Sequence, residues 1–128
     1  MVNLIHPELS YKLYGIFYEV HNKLGRFLSH KQYCDAIEML LKKYGIKYKR
    51  EVEIPINFEK GQLKGNILDF DIEDVIPIDV KTEKYITKKD YQQMQRYLKA
   101  KDRILGIIVN FQEQSIKPKR VINPKGRG

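Results

Sequence analysis

Two helical stripes, then a switch to residue-by-residue alternation, then a third helical stripe leading into an uncharged β-branched run predict an α/β domain: a mixed sheet flanked by helices. The expected order is helix, helix, three strands, helix, strand. At 128 residues the chain has room for one hydrophobic core, so residues 1–128 are expected to form a single domain.

The first helix is predicted over Pro7 to Leu24, where Leu13, Phe17, Val20 and Leu24 recur at steps of four, three and four and so share a face. Pro7 suits its first turn and Gly25 its end. A second helix, from about Ser29 to Tyr44, carries Tyr33, Ile37, Leu40, Leu41 and Tyr44 on one face, and Gly45 closes it. Alternation then puts Val52, Ile54, Ile56 and Phe58 on one side of a strand. Pro55, with no N–H to donate, makes that strand an edge. Glu59 to Gly65 reads as a turn into a strand around Asn66 to Ile72, and Glu73-Asp74 as a turn into Val75 to Lys81. Thr87 and Asp90 have the spacing of a capping box ahead of the stripe Tyr91, Met94 and Leu98, so a third helix should run to about Ala100. Ile104 to Phe111 is short, β-branched and uncharged, as a strand buried on both faces would be. From Lys117 onward the chain carries five basic residues with Pro118 and Pro124, and a flexible basic tail is expected from about residue 117.

Lys and Arg outnumber Asp and Glu by 24 to 16, and the resulting formal charge of +8 attracts anions, nucleic acid first among them. Many proteins that bind no nucleic acid are equally basic, so charge alone does not decide. One cysteine, Cys34, excludes an internal disulfide and a cysteine-rich zinc site, and it fits a reducing compartment. No stretch approaches the roughly 18 apolar residues of a membrane span. A soluble, cytoplasmic protein with no membrane partner is expected.

Phosphodiester cleavage is helped by a hard divalent ion that activates water and neutralises phosphate charge, and such ions prefer carboxylate and carbonyl oxygens. Asp69 and Asp79 lie in successive predicted strands joined by a tight turn, which would bring them side by side. Asp79 and Lys81 project from the same strand face, while Ile78 and Val80 point into the core. Lys81 would then stand beside the metal, where an ammonium can orient the attacking water, and the Val80 carbonyl is a further candidate ligand. Among the 16 acidic residues only Asp79 is followed two positions later by lysine. Acids are costly in an apolar strand unless paired or metal-bound, which adds weight to the position. The plainer reading is an ion pair on an exposed sheet face. Asp71 shares the face of Asp69 and is an alternative ligand, though its place near the turn suggests solvation.

Taken in order, Glu19-Val20-His21, Leu24-Gly25, Tyr33, Ala36, Ile67-Leu68-Asp69-Phe70, Ile78-Asp79-Val80-Lys81, Gln93 to Leu98, Leu105-Gly106, Val109-Asn110-Phe111 and Lys119 to Asn123 resemble the GxxExxY family of the PD-(D/E)XK nuclease superfamily. The resemblance runs from about Leu9 to Asn123 and implies a restriction-endonuclease-like core, a Mg2+ or Mn2+ cofactor and nucleic acid, DNA above all, as partner. Homodimers are common in that superfamily.

The resemblance also assigns residues. Aligned on Tyr33, the naming glutamate of the family falls at His30, and Phe27 replaces its usual glycine. His30 is then a ligand or base through its imidazole, or the site is weakened and only binding remains; a histidine at a helix start can also be merely solvated or capping. Asp79 stands where the family more often has glutamate. Gln93 and Tyr97 match the Gln-x-x-x-Tyr element of RecB-like nucleases. There the amide would hold a water or phosphate and the tyrosine would pack on the DNA backbone, although Tyr97 would equally serve as a core aromatic. Lys84, Lys88, Lys89, Arg96, Lys99 and Lys101 follow the Asp-x-Lys strand, either as a solvated helix face or as phosphate contacts. Three functions remain open from sequence: a metal-dependent DNA nuclease, an attenuated nucleic-acid-binding module of the same fold, and a basic domain that meets an acidic protein.

Overall fold

The computed structural model describes residues 5–127. Helix α1 (Pro7–Leu24) has Pro at its first turn and stops at Gly25, whose φ of 75° favours glycine. Helix α2 (His30–Lys43) opens on a capping box, in which the Ser29 side chain accepts from the Gln32 N–H and the Gln32 side chain accepts from the Ser29 N–H. Strands β1 (Tyr48–Phe58), β2 (Gly61–Ile72) and β3 (Ile76–Lys81) follow, then α3 (Lys88–Lys101), β4 (Leu105–Asn110) and β5 (Lys119–Ile122). The sheet runs β1-β2-β3-β4-β5 in space, and only the β3–β4 pair is parallel, as the intervening helix α3 allows.

Each sheet face has its own core. Leu13, Phe17 and Val20 of α1, with Tyr33, Ile37 and Leu41 of α2, pack on Phe70, Ile72, Ile78, Val80, Ile107 and Val109. Met94, Tyr97 and Leu98 of α3 pack on Ile54, Leu68, Ile108 and Val121 of the other face. Phe111 locks the first layer, stacked on Tyr33 with centroids 4.5 Å apart and meeting Phe17 edge-on. The α/β class and the mixed, helix-flanked sheet are as expected, as is the place of β1 at the sheet edge.

Several local expectations are corrected. The β1–β2 hairpin is longer than predicted: Phe58 already pairs with Gly61, so Glu59 and Lys60 make the turn and Gly61 to Gly65 belong to β2. Pro55 sits at a register shift, and Gly65 is needed opposite it, because a Cβ there would collide with the Ile54 carbonyl. Beyond Ile54 this arm outruns α3, so Ile56 and Phe58 are exposed rather than buried, and Leu24 and Tyr44 are likewise exposed at their helix ends. Asp71 is not solvated. It is 1 % exposed and faces Arg103, whose Nη2 lies 3.3 Å from its Oδ2.

The flexible tail from about residue 117 is the largest correction. Lys119–Ile122 forms β5, antiparallel to β4, with Val121 buried in the α3-side core. Arg120 also donates to the Ser10 hydroxyl and to the Ile5 carbonyl, each at 3.0 Å, which ties the segment to α1. Because burial of a valine is worth about 1.5–3 kcal/mol, a chain ending at residue 116 should lose at least about 2 kcal/mol of stability, as read by urea unfolding. An unchanged midpoint would mean that β5 contributes nothing.

Candidate active site

Strands β2 and β3 pair from Ile72–Ile76 only as far as Phe70–Ile78, and then part. At that point β2 also turns about its own axis. Strict alternation would put Leu68 and Phe70 on one face, yet Phe70 packs in the α1–α2 core and Leu68 in the α3 core. Across from them on β1, Glu51 takes a φ of 57°, a conformation uncommon outside glycine, while Arg50 and Val52 on either side stay in register with Phe70 and Leu68.

Asp69, between the two, is therefore turned sideways into the fork, where its Oδ2 accepts a 2.7 Å hydrogen bond from the Val80 N–H. A carboxylate thus takes the place of a ladder carbonyl. Since the N–H and C=O of a strand residue point to the same edge, the Val80 carbonyl also turns toward the fork. The opening is a cleft of about 240 Å³, lined by His30, Ile67, Asp69, Asp79, Val80, Lys81, Thr82, Glu83, Gln93 and Tyr97.

All the residues expected at the catalytic centre converge on this cleft. Asp79 is buried, and burial first, then its contact with Asp69, pushes its pKa up to about 7 against the pull of Lys81. Its Oδ2 is a buried oxygen that receives no hydrogen bond, although the Lys81 ammonium stands 3.2 Å away. Lys81 is also 3.5 Å from Asp90 Oδ1. Burial opposes its charge, but Asp79 and Asp90 outweigh that, and its pKa rises. From the other layer, at the start of α2, His30 brings Nε2 to 3.1 Å from Asp69 Oδ1. That bond, aided by Cys34, raises the imidazole to about 10, while Asp69 is held below the usual carboxylate range by His30, Asp79 and Val80 despite its burial.

Three supports escaped the sequence reading. Asp90 was seen as a capping residue, yet the same carboxylate that accepts from Thr87 also faces Lys81. Asn110 is wholly buried and bonds both the N–H and the carbonyl of Glu83, pinning the loop after β3 to β4. Tyr33 donates to the Gly25 carbonyl at 2.6 Å and accepts from the Leu28 N–H at 3.2 Å, which fixes the α1–α2 loop just before His30. For Asn110, a polar residue between Val109 and Phe111 in an apolar run was the available signal.

Other assignments shift. Gln93 donates to the Tyr97 hydroxyl at 2.7 Å, as their spacing predicts, but Tyr97 is 2 % exposed and its ring belongs to the α3 core, so it cannot pack on a DNA backbone. Its burial raises the phenol to about 12. The basic residues do not line the acidic cleft. Lys84 opens toward Tyr85, Tyr91, Lys117 and Lys119 in a neighbouring hollow, and Arg96 and Lys99 line another between α3 and the β1–β2 arm. Lys88 and Lys89 are exposed on the first turn of α3.

A five-stranded mixed sheet, helices on both faces and an Asp, Asp-x-Lys set at a strand fork define a protein of the restriction-endonuclease-like class. The family model of the PD-(D/E)XK nuclease superfamily matches residues 7–121, and the chain belongs to that superfamily. No curated protein and no solved structure matches it. Members of the superfamily generally use divalent metal ions and act on nucleic acid. The donor set here fits such an ion, because a buried carboxylate oxygen without a hydrogen bond sits beside a second carboxylate and a strand carbonyl. Among the described residues, no helix is long and apolar enough to cross a membrane.

The raised pKa of Asp79 has a definite sign for stability. The folded state keeps this proton up to about pH 7, whereas an unfolded aspartate loses it near pH 4, so the metal-free protein loses stability from this group as pH rises between those values. Asp79→Asn should therefore raise the thermal midpoint in chelator, with a gain on the order of 1–3 kcal/mol at pH 8 and a much smaller one at pH 4. Equal gains at both pH values would contradict the shift.

Proposed function

We propose that this chain is a metal-dependent nuclease of the GxxExxY type that hydrolyses phosphodiester bonds in DNA. The observation that carries the reading is the meeting of two buried carboxylates, Asp69 and Asp79, with the Lys81 ammonium in one cleft. Asp69, Asp79 and the Val80 carbonyl would hold the ion. A bound magnesium or manganese ion supplies charge neutralisation at the phosphate and an activated water.

The protein's own part follows from its geometry. Lys81 is kept protonated between Asp79 and Asp90, so its ammonium offsets charge as it develops on the phosphate oxygens and orients the attacking water. Asn110 fixes the loop that closes one side of the cleft, and the Gln93 amide is oriented by a buried phenol that cannot wander. Lys84 on one flank, and Arg96 and Lys99 on the other, would hold phosphates of a strand laid across the cleft, with Lys88 and Lys89 adding to the field.

His30 favours a second reading, a module that binds nucleic acid but turns it over weakly. Where the family has an acid, this chain puts a cation on Asp69, and that cation competes with the metal for the same oxygen. Purified protein with plasmid and single-stranded DNA, in magnesium, manganese or chelator, separates the readings. Cleavage should need the metal and fall at least 100-fold in Asp69→Ala and in Lys81→Ala, where whole mechanistic groups are lost. Cleavage that survives either change, or survives chelator, would sink the proposed site. A large gain in His30→Glu marks an attenuated natural enzyme, and a loss makes His30 part of the working site. DNA binding by the inactive variants should weaken steeply with salt.

A further inference from the structure

Cys34 lies one turn beyond His30 on α2, and it takes no part in the nuclease chemistry described above. Its Sγ stands 3.7 Å from His30 Nε2, which is itself 3.1 Å from Asp69 Oδ1. One donor atom from each of the three residues lies within 4.8 Å of the others. A tetrahedral zinc ion with bonds of about 2.0–2.3 Å spaces its ligands roughly 3.3–3.7 Å apart, and the two distances from His30 lie near that range. Two of the three residues, His30 and Asp69, line the cleft, and the set they form with Cys34 is nitrogen, sulfur and oxygen. That is a poor match for magnesium, which takes oxygen ligands, and a good one for a thiophilic ion.

We propose that His30, Cys34 and Asp69 form a binding site for a thiophilic divalent ion, zinc above all, sharing Asp69 with the magnesium site. Binding replaces the proton that His30 Nε2 and Asp69 hold between them, and it forms a metal–sulfur bond as the Cys34 thiol gives its proton to solvent. The thiol itself is buried, and burial disfavours its thiolate in the free protein, so without the ion it is a neutral core group. His30 is half exposed and gives the ion its way in. Zinc held there occupies Asp69 Oδ1 and so competes with magnesium for that carboxylate. This consequence, competition with magnesium for Asp69, rests on the nuclease reading, whereas the binding itself does not.

Cobalt(II) is the probe, because a thiolate ligand gives it a charge-transfer band and tetrahedral coordination gives it strong visible absorption. The whole chain, titrated with cobalt and then with zinc, should show both features at one ion per chain, and zinc should abolish them. Cys34→Ser should remove the charge-transfer band and weaken zinc binding at least about 100-fold, beyond what loss of a supporting group costs, while manganese binding stays within about twofold. His30→Gln, at a half-exposed position and with an amide that can still donate to Asp69, should weaken zinc equally, with its fold checked by circular dichroism. Absence of the band in the wild type, or its survival in Cys34→Ser, overturns the site; so does zinc binding that neither variant weakens. Cleavage assays bear on the nuclease reading alone, so the two can fail separately.

Discussion

The parting of β2 from β3 at Phe70 is the constraint on which the rest of this molecule depends. A sheet that stayed paired would satisfy Val80 with a backbone carbonyl and set Asp69 opposite Asp79 on one sheet face, rather than turned into an opening. Because the ladder stops, a buried N–H needs a partner, and the nearest acceptor is a side chain. The hydrogen bond to Asp69 thus serves two ends at once. It satisfies Val80, and it fixes a carboxylate in the opening where the strand edge is free.

Holding so many charges in one small cleft would be untenable without mutual compensation. Two carboxylates and an ammonium, each largely withdrawn from water, pay a desolvation cost that only paired geometry offsets. Asp90 answers Lys81, His30 answers Asp69, and Asp79 is left as the group whose neutral form burial favours. On the proposed reading, a divalent ion would supply the positive charge that Lys81, shared with Asp90, supplies only in part.

Much of this was legible in the sequence. Three helices, four of the five strands and the meeting of Asp69, Asp79 and Lys81 follow from period and spacing, because apolar stripes and a lone Asp-x-Lys in an apolar strand leave few arrangements, whereas Gln93 and Tyr97 were pointed to by the resemblance. What escaped depends on partners. The strand β5 is basic and proline-flanked, and takes its register from β4 rather than from a pattern of its own. Asp71 looked like a turn acid because its counter-ion Arg103 is 32 residues away in sequence. The twist at Asp69 has no local signature at all, since Leu68 and Phe70 look alike and only the layers above and below tell them apart.

His30 joins these threads. At the start of a helix that packs on one face of the sheet, it reaches an acid that the fork has turned edge-on, something a residue on a regular strand face would not allow. The residue at this position touches Asp69 from outside the sheet, and its chemistry sets what Asp69 can hold. An acid there would add oxygen and negative charge, the preference of magnesium; an imidazole, with a thiol one turn behind it, adds nitrogen and sulfur. On the proposed readings the same backbone would present a hard or a soft metal site according to one helix-start residue, and this sequence has the softer donor there above the Asp69, Asp79 and Lys81 set.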